Sequence, residues 1–142
     1  MPRYYRNAIK WSLNCDLMYG YSERLFGPND CMTREQLATA LIRYLDRFLR
    51  LHFYIDAEKY DRYTGVDAGS FDDSARISPY AIEPVGRALM YGIITGKTET
   101  ILDPQGEVTR AEAAVMISRL LELIDELVLW RLDNWSFAPE KP

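Results

Sequence analysis

Apolar residues recur at helical spacing in several stretches of the chain. Tyr5, Ala8, Ile9 and Leu13 fall on one face and predict a helix running roughly from Tyr4 to Cys15. Leu37, Ala38, Leu41, Tyr44, Leu45 and Phe48 form a second stripe. Ile82, Val85 and Leu89 form a third, in a helix that begins near Ser78-Pro79, a cap residue followed by proline at the first helical position. Pro84 lies inside that helix and is expected to kink it or delay its start. Ala113, Ala114, Ile117, Leu120, Leu121 and Ile124 form the last stripe, which continues through Leu127, Val128 and Leu132 into Trp135. Stripes of this kind are read as core-facing. The prediction is an all-α fold, with helix–loop–helix units packed as a small bundle and short extended pieces in the loops.

The stripes belong to a repeat. When Thr33-Arg34 is laid on Thr109-Arg110, the two halves register without a gap. Tyr4 then meets Tyr80, Leu13 meets Leu89, Gly20 meets Gly96, Glu23 meets Glu99 and Pro28 meets Pro104. Pairs such as Ile9/Val85, Leu17/Ile93, Phe26/Leu102 and Leu41/Ile117 keep their apolar character. The division that follows is 1–50 for the first copy, 51–70 for a connecting segment, 71–124 for the second copy and 125–142 for the end of the last helix and a tail, all within one compact domain. Gly20 and Gly96 are expected to close each first helix and open a loop. The apolar pairs Leu25-Phe26 and Ile101-Leu102, each followed by a proline turn, are expected to tuck under the domain. Phe71-Asp72-Asp73 introduces the second copy as a short extended piece.

Composition narrows the function. The chain has 142 residues, 48% hydrophobic and 27% charged, which excludes a disordered tail or a disulfide scaffold. Its 17 Lys+Arg against 21 Asp+Glu give a net charge of −4, which argues against a general nucleic-acid binder. No stretch approaches the ~20 apolar residues of a membrane span. His52 is the only histidine, so neither a metal cluster nor a Ser–His or Cys–His catalytic pair is expected, and no cofactor is implied. Cys15 and Cys31 form one disulfide or remain two free thiols. Met1-Pro2-Arg3-Tyr4 is not followed by an apolar signal region, which leaves a cytosolic protein or a piece of a longer secreted one.

The candidate chemistry lies at two helix starts. Thr33-Arg34-Glu35-Gln36 and Thr109-Arg110-Ala111-Glu112 both fit the capping box, Ser/Thr-x-x-Glu/Gln. Arg34 and Arg110 then occupy the first helical position, where the helix dipole disfavours a cation by roughly 0.3–1 kcal/mol. One explanation is an anion site made of helix N-terminal N–H groups and a guanidinium. The other is pairing with an acidic side chain of the neighbouring copy, such as Asp72, Asp73 or Asp30. Both stay open on the residues alone. Other patterns carry less. Gly92-Ile93-Ile94-Thr95-Gly96-Lys97-Thr98 is one residue short of a phosphate-binding loop and follows a helix rather than a strand. The Asp-rich run from Asp56 to Asp73 lacks the order of a calcium loop. Glu122/Glu126 reads as a solvated helix face rather than a glycosidase pair.

The motifs in combination resemble the S-layer homology (SLH) motif. In the second copy these are Phe71-Asp72-Asp73, Tyr80-Ala81, Gly92-Ile93-Ile94-Thr95-Gly96, Leu102-Asp103-Pro104 and Val108-Thr109-Arg110-Ala111-Glu112. In the first they are Ala8-Ile9-x-Trp11, Met18-Tyr19-Gly20-Tyr21, Leu25-Phe26-Gly27-Pro28-Asn29-Asp30 and Met32-Thr33-Arg34-Glu35-Gln36. The resemblance covers roughly residues 4–48 and 71–124. It implies a non-catalytic module, extracellular on the wall of Gram-positive bacteria. Such a module binds pyruvylated secondary cell-wall polysaccharide attached to peptidoglycan, in grooves between neighbouring motifs. By resemblance the glycan-binding residues are Arg34, Arg110, Gly20 and Gly96, with Asp72 and Tyr80 as further members. It also implies a third repeat or a homo-oligomer, since such motifs usually come in threes. The alternative is a structural or protein–protein interaction module on the same scaffold, with the exposed aromatics near Trp130 and Trp135 as a contact surface.

Overall fold

The computed structural model of the chain describes residues 3–53 and 66–134. Its helices are α1 (Arg3–Asn14), α2 (Arg34–Phe53), α3 (Ile82–Met90) and α4 (Arg110–Asn134), and no strand occurs among the described residues. Single-turn 3-10 helices at Ala68–Ser70, Ser74–Arg76 and Pro79–Ala81 lead into α3. The fold is all-α, as the periodicity predicts. Most of the connecting segment, residues 54–65, lies outside the described residues, as do Trp135 and the tail after it.

Both capping boxes form. The Thr33 N–H donates to Gln36 Oε1 at 2.9 Å and the Gln36 N–H to Thr33 Oγ1 at 3.3 Å. The Thr109 N–H donates to Glu112 Oε2 at 2.9 Å and the Glu112 N–H returns to Thr109 Oγ1 at 3.2 Å. Ser78-Pro79 starts a 3-10 turn, and the α-helix proper follows at Ile82. Pro84 therefore falls in the first helical turn, where a missing N–H costs nothing, and it delays the helix rather than kinking it.

The first helices end earlier than the glycines suggest. α1 stops at Asn14 and α3 at Met90, each followed by a left-handed residue, Asp16 (φ 57°) and Gly92 (φ 69°). These two positions match in the repeat, as do Gly27 (φ 64°) and Asp103 (φ 54°). The backbone turn is thus kept in both copies while glycine and aspartate exchange places, because aspartate is among the few other residues that tolerate this region. Gly20 and Gly96 sit farther on, inside the loops.

Among the described residues the helices pair across the repeat and not within it. α3 packs on α2 of the preceding copy, and α2 also packs on α4. Among the described residues, α1 packs on no other helix. The core gathers Leu41, Ile42, Leu45 and Leu49 from α2, Val85, Ala88 and Leu89 from α3, and Met116, Leu120, Ile124 and Leu127 from α4. Phe71, Ile93, Ile94 and Leu102 close it from the loops. Two expectations change here. Only the second member of each apolar loop pair turns inward: Leu102 is buried and Phe26 half-buried, whereas Leu25 and Ile101 are exposed. The stripe on α4 divides in two, one side buried and the other, Ile117, Leu121, Val128 and Leu132, exposed. The lead-in Phe71-Asp72-Asp73 is extended only at Phe71 and lies between 3-10 turns. Cys15 is buried, Cys31 is exposed, and both are free thiols.

Candidate functional site

Two grooves occupy matching places in the repeat. The first, about 590 Å³, is lined by Met18, Tyr19, Gly20, Tyr21, Pro28, Asp30, Gln36, Thr39, Arg43 and Tyr80, among others. The second, about 360 Å³, is lined by Arg34, Ile94, Thr95, Gly96, Lys97, Ala111, Glu112, Val115, Met116 and Arg119. Each is walled by the loop after a copy's first helix and by the start of its second. Gly20 and Gly96 hold the loop wall. A side chain on Gly20 would overlap the Leu25 carbonyl oxygen, and one on Gly96 the Thr98 carbonyl and the Phe71 ring. Close backbone approach is the reason for glycine at both positions.

Arg34 crosses from the first copy into the second groove. Its guanidinium is buried, with Nε donating to the Leu102 carbonyl at 3.1 Å, Nη2 to the Thr95 carbonyl at 2.7 Å, and Nη1 to Glu112 Oε1 at 3.1 Å. The acid that meets it belongs to the other copy, but it is Glu112 and not Asp72, Asp73 or Asp30. Glu112 therefore bonds Arg34 through one oxygen and closes its own capping box through the other. The N–H and hydroxyl of Thr109, aided by the charges of Lys97 and Arg34, hold the Glu112 carboxyl below its ordinary range.

The α2 N-terminus is already occupied. The Arg34 N–H donates to the Gly106 carbonyl at 2.9 Å and the Glu35 N–H to the Pro104 carbonyl at 3.0 Å. The expected anion site on open helix N–H groups is therefore not present at α2, because the second copy's loop carbonyls satisfy those donors. Arg34 lines the second groove together with Lys97 and Arg119. Lys97 Nζ also pairs with Asp103 Oδ2 at 2.8 Å. In the first groove Arg43 lies over the Tyr19 ring, 4.5 Å from its centroid.

The other expected site residues separate. Gly20 and Tyr80 line the first groove, and Arg34 and Gly96 the second. Arg110 and Asp72 are exposed and line neither. The Tyr80 hydroxyl donates to Glu35 Oε1 at 3.1 Å, and burial with the adjacent Glu35 charge pushes the phenol up to about 12. Sequence reasoning gave Glu35 no role beyond its capping-box segment, and Asp73 only the role of a candidate partner for an arginine. Glu35 is 2% exposed and accepts from the Ser78 N–H, Tyr80 and the Gln105 amide, tying α2 to the second copy. Asp73, beside the expected Asp72, accepts from the Leu102 and Asp103 N–H groups at 2.9 and 2.8 Å and pins the loop of the second groove. The sequence signal for Glu35 was the contrast with Ala111 at the matching place. For Asp73 there was none, since either aspartate of the pair fits the lead-in.

The S-layer homology domain model matches residues 1–38 and 70–114, the two copies that build these grooves. The chain belongs to the S-layer homology domain family. Among curated relatives it is 31% identical over 124 residues to "Exoglucanase XynX" of Acetivibrio thermocellus, covering 87% of this chain and 10% of that protein. It is 29% identical over 119 residues to "Amylopullulanase" of Thermoanaerobacterium thermosulfurigenes, covering 84% and 6%. It is 27% identical over 125 residues to "Surface-layer 125 kDa protein" of Lysinibacillus sphaericus, covering 86% and 9%. The chain thus spans a tenth or less of these relatives' length, and the enzyme names describe proteins most of which has no counterpart here. No solved structure gives a significant match. An SLH module of the kind carried by surface-layer and cell-surface proteins is what the chain contains.

Proposed function

We propose that the chain is a non-catalytic anchoring module that holds its carrier to the outside of a bacterial cell by binding an anionic, pyruvylated secondary wall polysaccharide on peptidoglycan. The observation that carries this reading is the second groove. In a chain of net charge −4, it gathers Arg34, Lys97 and Arg119 around the backbone at Gly96, with Glu112 paired to Arg34 and Asp103 to Lys97. The Arg34 guanidinium is fixed by three protein acceptors before any ligand arrives, so a sugar carboxylate meets an oriented donor and little side-chain entropy is lost. The first groove complements it with Tyr19, Tyr21 and Tyr80 beside Gly20, rings suited to the faces of sugar residues. Arg110 and Asp72, outside both grooves, are given a lesser part.

The test is sedimentation with purified Gram-positive wall sacculi, with and without their secondary polymer. The expected result is retention only on polymer-bearing walls, weakened by salt and by the double variant Lys97→Gln/Arg119→Gln. Equal sedimentation with stripped walls, or no effect of the double variant, would overturn it. The second reading, a structural or protein-interaction module, draws on a different observation: every Arg34 nitrogen already has a protein acceptor. It expects no retention on walls from any source.

A further inference from the structure

The junction between the two copies describes a second junction that the described residues leave unmade. Inside the chain, α2 presents Leu41 and Leu45 and α3 presents Val85 and Leu89, all buried where these helices pack. The matching residues of α4 are Ile117 and Leu121, 44% and 51% exposed. The matching residues of α1 are Ile9, half-buried, and Leu13, 37% exposed. α4 therefore shows the face that α2 covers with α3, and α1 shows the face that α3 covers with α2.

The helix starts agree. The α2 N-terminus is seated on the Pro104 and Gly106 carbonyls, with Arg34 in the groove behind them. The matching seat in the first copy is Pro28 and Asp30, on the rim of the first groove. Among the described residues no acceptor is seated on the Arg110 and Ala111 N–H groups, and the Arg110 side chain is exposed. Charge agrees as well. α1 carries Arg6 and Lys10 exposed and no acidic residue, while α4 carries Glu122 and Asp125 exposed beside its apolar face, with Arg110 and Arg119 nearer its start.

We infer that the chain associates head to tail, the α4 face and N-terminus of one copy taking α1 and the first loop of a second copy in the geometry of the internal α2–α3 junction. Such a contact is heterologous, and it closes into a ring or extends according to the rotation per step. It needs no wall polymer and does not rest on glycan binding.

Sedimentation equilibrium of the full 142-residue chain, without wall material, tests it. The expected result is reversible assembly that rises with concentration. Leu13→Asp and Leu121→Asp, both at exposed positions, each weaken assembly at least about tenfold while circular dichroism stays unchanged. Mixing the two variants restores a 1:1 complex, because each contributes the face that the other lacks. A monomer at about 1 mM, where even a millimolar contact would populate, overturns the inference and leaves both faces to a further repeat of a longer chain. Assembly indifferent to both variants, or a mixture that forms no complex, also overturns it.

Discussion

The guanidinium of Arg34 reaches the carboxylate of Glu112, 78 residues away in sequence, at 3.1 Å. The contact joins the capping box of one copy to that of the other. It makes the two matching arginines unequal: Arg34 is buried with three acceptors, whereas Arg110 is exposed. Arg34→Ala strands a partly buried carboxylate and two loop carbonyls, and is expected to cost about 3 kcal/mol. Arg110→Ala is expected to stay within about 0.5 kcal/mol of the parent. Urea denaturation of both variants checks the contrast, and equal losses would contradict it.

Glu35 and Tyr80 give a second pair. Glu35→Ala installs the residue found at the matching place in the second copy, but it removes the acceptor of three donors from a buried site. The expected loss is about 2–3 kcal/mol. Tyr80→Phe removes one donor from the half-exposed side and is expected to cost about 1 kcal/mol. The double variant should cost no more than Glu35→Ala alone, since Tyr80 acts through that carboxylate. Additive losses in a thermal-melt cycle would count against the coupling.

Three glycines should respond to alanine with different signs. Gly86 is inside α3 with open space around its missing Cβ, so Gly86→Ala is expected to stabilise by about 0.5–1 kcal/mol. Gly92 also has open space but sits at φ 69°, so its alanine isolates backbone strain and is expected to cost about 1 kcal/mol. Gly96 has backbone and the Phe71 ring in the way, and Gly96→Ala is expected to cost more than either, about 2 kcal/mol or above. Chemical denaturation of the three single variants reads the order directly.

Acid should weaken the fold through two identified carboxyls. Burial works to raise the Asp73 carboxyl, but the N–H groups of Leu102 and Asp103 outweigh it and hold the group below its ordinary 3.8. Glu112 is held below its ordinary 4.5 by its bonds from Thr109. Because the folded state favours the ionised forms, their contribution is complete above these ordinary values and is lost as pH falls below them and through the lower folded-state values. Melting temperatures from about pH 6 to about pH 3 should drop, and Asp73→Asn should lower the plateau and flatten the slope. A parent-like slope in that variant would remove Asp73 from the account.

Much of this architecture was legible from spacing alone. The repeat register, the four helices and both capping boxes rest on local chain geometry, and the structure contains them, although the stripe on α1 is largely exposed. Partner choice was not legible, because a stripe states that a helix has a covered face and not which helix covers it. α3 could satisfy the same pattern on α4 as on α2. For the same reason Ile117 and Leu121 read as core, although only their counterparts Leu41 and Leu45 are buried. Arg34 was visible as an anomaly at a helix start. Its acceptors were not, since two are loop carbonyls and the third was already assigned to a cap.

Pairing α2 with a helix of the next copy sets an order of events at the ribosome. The apolar face of α2 leaves the exit tunnel with neither α3 nor α4 yet made. At about 5–20 residues per second, the wait from Phe53 to the end of α3 is on the order of seconds. For that interval the apolar face of α2 has no partner helix. A chain cut between the copies would separate the α2 face from the α3 and α4 faces that cover it.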